Sequence, residues 1–223
     1  MQQPAACLFD LDGLLLDTEP LHAEAWQRAA SHFGRPLTPA ELMSLRGRRR
    51  FDCADQVLDW IRAAGIAGPS REELLAVRQP IAEALLVQAR PIPGAPELVE
   101  HCHARGLPMA LATSSSRSAV ELKASPHPWL QRITVRVHGD DPELRQGKPA
   151  PDVFLLAAER LGVLPGACWA FEDSPAGAQA ARTAGCTVHV LPPDHLGPAE
   201  RLQAYPGIER FLNSLDEVLN QLG

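Results

Sequence analysis

Residues 5–13 read Ala5-Ala6-Cys7-Leu8-Phe9-Asp10-Leu11-Asp12-Gly13, and the fold turns on how this stretch is read. An apolar run this short that ends abruptly in acid reads as a buried strand stopping at a charged site. Side chains alternate along a strand, but Gly13 permits a turn, so Asp12 can swing toward the site that Asp10 faces. Two carboxylates so close repel each other unless a cation lies between them, and a bound divalent metal inverts the usual pKa logic.

From about residue 91 onward the pattern is regular. A helical stretch 95–105 ends at Gly106, and a strand is predicted over 108–112, followed by a helix that opens at Thr113-Ser114-Ser115-Ser116 and runs to Ala124. Residues 133–137 read as a strand, 151–161 as a helix stopped by Gly162, 168–171 as a strand, 175–184 as a helix closed by Gly185, and 187–191 as a strand. Proline at helix starts and glycine just past helix ends follow the expected asymmetry. Strands alternating with helices of this length predict crossover units and a mainly parallel, doubly wound, Rossmann-like α/β sheet. Residues 18–88 carry no convincing strand; helices are predicted over 21–33, 54–64 and 72–88, and the proline-rich stretch 88–96 reads as a return linker. The expected organisation is therefore a core built from 1–17 and 89–223, with a helical module over 18–88 inserted after the first strand.

The 223 residues suit one core plus an insertion, and 45% hydrophobic with 22% charged residues is ordinary globular composition. A net charge of −6 leaves no basic excess to neutralise a phosphate backbone, which argues against nucleic acid as a partner. The basic run Arg46-Gly47-Arg48-Arg49-Arg50 reads equally as a solvated helix end or as a cluster facing phosphate or substrate. Five scattered cysteines, without a Cys-x-x-Cys pair, suggest buried thiols in a reducing compartment. No signal-peptide pattern and no membrane-spanning run is present, so a cytoplasmic protein with no membrane partner is expected. Monomer is the default expectation. Of the 21 lysines and arginines, only Lys123 and Lys148 are lysine, which hints that a compact point charge is needed where lysine survives.

Ligands of an open parallel sheet sit at the carboxyl ends of its strands. Those ends carry Asp10 and Asp12, then Thr113 and Ser114, then Glu172 and Asp173, while Lys148 lies between the third strand and its helix. Each alone has a bland reading: turn acids in solvent, helix N-caps, or acids favoured by a helix dipole. Together they fit around a phosphoryl group. Acids from two loops are hard oxygen ligands suited to Mg²⁺. Thr113 and the amides of a helix start suit phosphate oxygens, and Lys148 neutralises charge that grows on them. With Mg²⁺ and Lys148 in place, Asp10 can act as a nucleophile and Asp12 as acid and base. Neither Gly-x-Gly-x-x-Gly nor a P-loop occurs, so dinucleotide or ATP binding has no support.

Phe9-Asp10-Leu11-Asp12-Gly13, Thr113-Ser114-Ser115, Gly147-Lys148-Pro149 and Phe171-Glu172-Asp173-Ser174 resemble the four signature motifs of the haloacid dehalogenase-like hydrolase superfamily, over nearly the whole chain. The 18–88 insertion is similar to that superfamily's small helical cap. Asp17-Thr18-Glu19 and the Gly147–Asp152 segment resemble its β-phosphoglucomutase-like branch, and 111–117, 139–143 and 172–175 resemble pseudouridine-5′-phosphatase-like proteins. The resemblance implies a Mg²⁺-dependent phosphatase of a small phosphorylated sugar or nucleoside monophosphate. Asp10 would be the phosphorylated nucleophile and Asp12 the acid/base. Thr113, Ser114 and Lys148 would hold the transferring phosphate. The metal would be held by Asp10, the Asp12 carbonyl, Asp173, and Glu172 directly or through water. His22, Arg46 and Arg50 resemble cap residues that meet substrate.

Two other readings share this site: a phosphomutase, and an inactive phosphometabolite-binding protein. Ser116 and Arg117 stand where the mutase branch places a basic and an amide residue, which weakens the first. The intact motif set weakens the second. His101 and His103 point to different helix faces, which disfavours a metal pair, and Trp26, Trp60, Trp129 and Trp169 read as packing residues.

Overall fold

The structure, a computed structural model, describes residues 3–194 and 196–222; residues 1, 2, 195 and 223 of the expected core segments lie outside the described residues. Five strands form one parallel sheet: β1 (Ala6–Phe9), β4 (Met109–Ala112), β5 (Val135–Val137), β6 (Cys168–Glu172) and β7 (Thr187–Val190). Their spatial order is β5-β4-β1-β6-β7. β1 lies at the centre, with Cys7 level with Met109 on one side and Trp169 on the other. The winding reverses at this strand, and such a switch point opens a crevice at the strand's carboxyl end.

Alternation along β1 separates two apolar layers. Cys7 and Phe9 face a cluster with α5 (Ala95–Ala104) and α10 (Asp216–Leu222). Ala6 and Leu8 face a second with α7 (Asp152–Leu161) and α8 (Pro175–Thr183). Both faces of the sheet are thus covered, which explains why β1, β4 and β6 read as unbroken apolar runs. The five cysteines are buried and free. α6 (Arg117–Ala124) follows β4, and α9 (Pro198–Ala204) follows β7.

Two short strands, β2 (Leu16–Asp17) and β3 (Arg90–Pro91), pair antiparallel through Leu16 with Pro91 and Asp17 with Arg90. They bring together the chain leaving the sheet and the chain returning to it. Between them lie α1 (Glu19–His32), α2 (Pro39–Ser44), α3 (Arg50–Ala63) and α4 (Arg71–Leu86). These helices share their own buried cluster, including Trp26, Val57, Ile61 and Leu74. Helices were expected over 21–33, 54–64 and 72–88. α2 was not, although Thr38 and Glu41 form a reciprocal capping box at its start. No described helix is long and apolar enough to cross a membrane.

Phe9 is fully buried and its ring stacks on Phe171 at 5.0 Å between centroids. Phe9→Ala should lower unfolding free energy by about 3–5 kcal/mol, read from urea denaturation; a loss below about 1 kcal/mol would contradict this packing account.

Candidate active site

The carboxyl ends of β1 and β6 place three acids together. Asp10, Glu172 and Asp173 are all buried, and each offers an oxygen within 4.8 Å of the others. Lys148 joins two of them, its Nζ donating to Asp10 Oδ1 at 2.6 Å and to Glu172 Oε1 at 2.5 Å. Only 2% of Lys148 is exposed. Burial alone would lower its pKa, but the Asp10 and Glu172 charges outweigh this and raise it, so it stays an ammonium. Burial pushes the Asp10 carboxyl up to about 7 against the pull of Lys148. Burial likewise lifts Asp173 to about 6, opposed first by Arg46.

Glu172 is anchored by its own loop. Its Oε2 accepts from the amides of Asp173 and Ser174 and from the Ser174 hydroxyl. The Ser174 hydroxyl also accepts from Gly177 N at 3.1 Å and caps α8. Asp173 Oδ1, by contrast, is buried with no hydrogen-bond partner among the described residues. An orphaned buried carboxylate oxygen is costly, and here it lies in an all-oxygen cluster. The donor set fits a hard divalent cation.

Asp12 is held separately. Lys123, fully buried on the last turn of α6, places its Nζ 2.5 Å from Asp12 Oδ1 and 2.6 Å from Oδ2. Thr18 donates its hydroxyl to Oδ1 at 2.6 Å, and Ser115 donates to Oδ2 at 2.7 Å. Thr18 is the N-cap residue of α1, yet its side chain makes no cap bond; Asp12 takes that hydroxyl instead. His22 Nε2 lies 3.2 Å from Oδ1, and Arg78 Nη2 lies 2.8 Å from His22 Nδ1. Because an arginine can only donate, Nδ1 is the acceptor and Nε2 carries the proton toward Asp12. Burial alone would raise the Asp12 pKa, but Lys123 and His22 together hold it well below the carboxylate range. Asp10 and Asp12 therefore have one ammonium each, where a single cation between them was expected.

The helical segment closes over these groups. Arg46 Nη2 donates to Asp173 Oδ2 at 2.6 Å, and its Nε lies 3.2 Å from Glu19 Oε2. The Ser114 hydroxyl donates to the Gly47 carbonyl at 2.8 Å. Between the layers lies a cavity of about 1200 Å³, reached by Asp10, Asp12, His22, Arg46 and Arg50. Arg50 bonds to Gln79, a neutral partner, at 2.8 Å.

Of the residues singled out from sequence, the structure brings Asp10, Lys148, Glu172 and Asp173 into contact, and Asp12 and His22 into the adjoining network. Thr113 is buried and accepts from Ser115 N at 3.1 Å. Neither Thr113 nor Ser114 caps α6, since Ser116 does so. Arg46, expected to meet a distal substrate group, reaches the acid cluster of the sheet. Lys123, Glu19, Arg78 and Ser115 have no role assigned from the sequence, although Glu19 and Ser115 lie within the Asp17-Thr18-Glu19 and Thr113-Ser114-Ser115 motifs. Lys123 had left one trace, as one of only two lysines in the chain.

A family model described as haloacid dehalogenase-like hydrolase matches residues 4–185. The chain belongs to that family. Within it, the chain falls in the β-phosphoglucomutase-like branch, and its relatives include enzymes named for phosphate esters. It is 34% identical over 220 residues to "(DL)-glycerol-3-phosphatase 1, mitochondrial" of Arabidopsis thaliana, covering 96% of this chain and 69% of the relative. It is 38% identical over 195 residues to a Drosophila melanogaster protein named "Probable pseudouridine-5′-phosphatase", covering 85% and 82%. Among solved structures, it is similar to CbbY from Rhodobacter sphaeroides in complex with phosphate. The TM-score is 0.79 and the identity 26%, with 97% and 96% of the chains covered. Family and relatives together make this haloacid dehalogenase-like chain a phosphoric monoester hydrolase.

The site depends on a bare backbone at Gly177, where a Cβ would overlap the Glu172 carboxylate. Gly177→Ala should displace Glu172 from Lys148 and lower both melting temperature and phosphatase turnover. Turnover and stability equal to the parent would contradict the placement of Glu172.

Proposed function

We propose that the chain hydrolyses a small phosphorylated metabolite, a sugar phosphate or a nucleoside 5′-monophosphate such as pseudouridine 5′-phosphate, through an aspartyl-phosphate on Asp10. The observation that carries this reading is the buried Asp10–Lys148–Glu172 chain beside Asp173 at the sheet's switch point. Asp10, the Asp12 carbonyl, Glu172 and Asp173 are proposed to hold Mg²⁺, which when bound supplies positive charge to draw the phosphoryl oxygens toward Asp10. The segment 18–88 is proposed to act as a cap, with His22, Arg46 and Arg50 meeting substrate. The chain is proposed to act as a monomer.

Asp10 sits where a carboxylate can attack phosphorus, and Lys148 offsets its charge so that a phosphate dianion can approach. Thr113, Ser114 with the other amides after β4, and Lys148 are proposed to hold the equatorial oxygens. In the first transfer an Asp10 oxygen bonds to phosphorus and the ester P–O bond breaks. Negative charge from a bound substrate raises the affinity of Asp12 for a proton; Asp12 takes one from solvent, or keeps the one taken from water in the preceding turnover, and gives it to the leaving oxygen. In the second transfer, water attacks phosphorus, the Asp10–phosphorus bond breaks, and Asp12 takes the water's proton. The cap loop over Asp173 and Ser114 keeps bulk water from the acyl phosphate.

A panel of sugar phosphates and nucleoside monophosphates with Mg²⁺ should release inorganic phosphate. A hexose 1-phosphate should give free phosphate and no 6-phosphate isomer; formation of that isomer would favour the mutase. Asp10→Asn should abolish both turnover and phosphoenzyme. Asp12→Asn should lower turnover by roughly 10²–10⁴, and full activity in that variant would remove Asp12 from the acid/base role. Chelating the divalent metal should stop phosphate release, and adding Mg²⁺ back should restore it; turnover that persists in chelator would contradict the metal requirement.

A further inference from the structure

The motifs of the proposed phosphatase account for Lys148 and leave Lys123 without a task. In a chain that otherwise uses arginine almost throughout, the two lysines are both buried and each is bonded to one of the paired aspartates. We infer that Lys123 is a positioning residue for the reaction, fixing the carboxylate of Asp12 in the orientation from which it moves the proton. This rests on the proposed acid/base role of Asp12.

The geometry is specific to an ammonium. The Lys123 Nζ has three protons, and three oxygens surround it: Asp12 Oδ1 at 2.5 Å, Asp12 Oδ2 at 2.6 Å and Ser115 Oγ at 2.8 Å. The Ser115 hydroxyl donates a hydrogen bond to Asp12 Oδ2 at 2.7 Å, so lysine, serine and aspartate close a ring. A planar guanidinium presents its donors as a wider fork and cannot converge on one point between two oxygens of the same carboxylate and a third hydroxyl. Both torsions of the Asp12 side chain are pinned, because Lys123 bridges its two oxygens while Thr18 holds Oδ1 and Ser115 holds Oδ2 from different parts of the chain. Thr18 and His22 hold Oδ1 from the start of α1, in the segment proposed to act as cap. Lys123 and Ser115 hold the carboxylate from α6 and the loop before it, in the sheet layer. Without Lys123, Asp12 keeps only hydrogen-bond partners without charge, two of them, Thr18 and His22, at the start of α1. Its carboxylate then follows α1 rather than the phosphate site. An ångström of misplacement suffices to cost a reaction about 10²-fold.

The test is a double-mutant cycle between Lys123→Met and Asp12→Asn, with kcat, KM and the affinity for inorganic phosphate measured in each protein. Methionine keeps the unbranched stem in its buried slot and removes the ammonium. In the otherwise unchanged chain, Lys123→Met should lower kcat about 10²-fold while KM and phosphate affinity stay within about threefold. In the Asp12→Asn background it should lower kcat by less than about threefold, since the residue it positions is gone. Equal losses in both backgrounds would overturn the inference and make Lys123 a packing residue. Full activity of Asp12→Asn alone would instead remove the acid/base role of Asp12. If Lys123→Met does not fold, Ser115→Ala takes its place in the cycle. It should lower kcat, again only when Asp12 is present; an equal loss with and without Asp12 would overturn the ring.

Discussion

Two carboxylates must be brought to the buried end of one strand, and each is paired there with a different lysine. Asp10 is bonded to Lys148 and Asp12 to Lys123, and both lysines are almost wholly excluded from solvent. An isolated charge in such a place is prohibitively costly, and a pair is tolerated only when hydrogen bonds satisfy what the ion pair does not. That condition explains much of the local architecture. Glu172 shares Lys148 and is itself anchored by amides at the start of α8, while Ser115 and Thr18 complete the Asp12 socket. The parallel sheet supplies the frame, because its central strand ends between the loops that carry all these groups.

Separate neutralisation also separates the chemistry. Asp10 lies in the acid cluster with a raised pKa, whereas Asp12 is turned into a socket of donors that lowers its own. Carboxylates two residues apart thus acquire different charge environments from their surroundings. The helical segment takes part directly, with Arg46 on Asp173, Gly47 against Ser114, and His22 on Asp12. Opening it would break contacts to both aspartate environments, so access to the cavity and the state of the site are physically linked.

Much of this was legible in the chain. The apolar run ending at Asp10, the strand and helix alternation after residue 91, and glycines past helix ends defined the sheet, because local pattern and tertiary burial agree there. The strand-end rule then placed Asp10, Lys148, Glu172 and Asp173 together without any contact being known. Less was legible where a residue acts at a distance. Arg46 reaches Asp173 across 127 positions of sequence, and nothing in its basic run distinguishes it from its neighbours. Lys123 stands on a short helix among ordinary residues, and only the scarcity of lysine marked it. β2 and β3 pair through two residues each, too few for a periodic signal, and α2 is a six-residue helix whose evidence was its capping box alone.

The phosphoryl group is proposed to be transferred twice, first to Asp10 and then to water. The stereochemistry at phosphorus tests this most directly, using an accepted phosphorothioate ester made chiral with heavy oxygen isotopes and hydrolysed in isotopically labelled water. Two in-line displacements predict retention of configuration at phosphorus. Inversion would mean a single direct attack by water and would contradict Asp10 as the nucleophile.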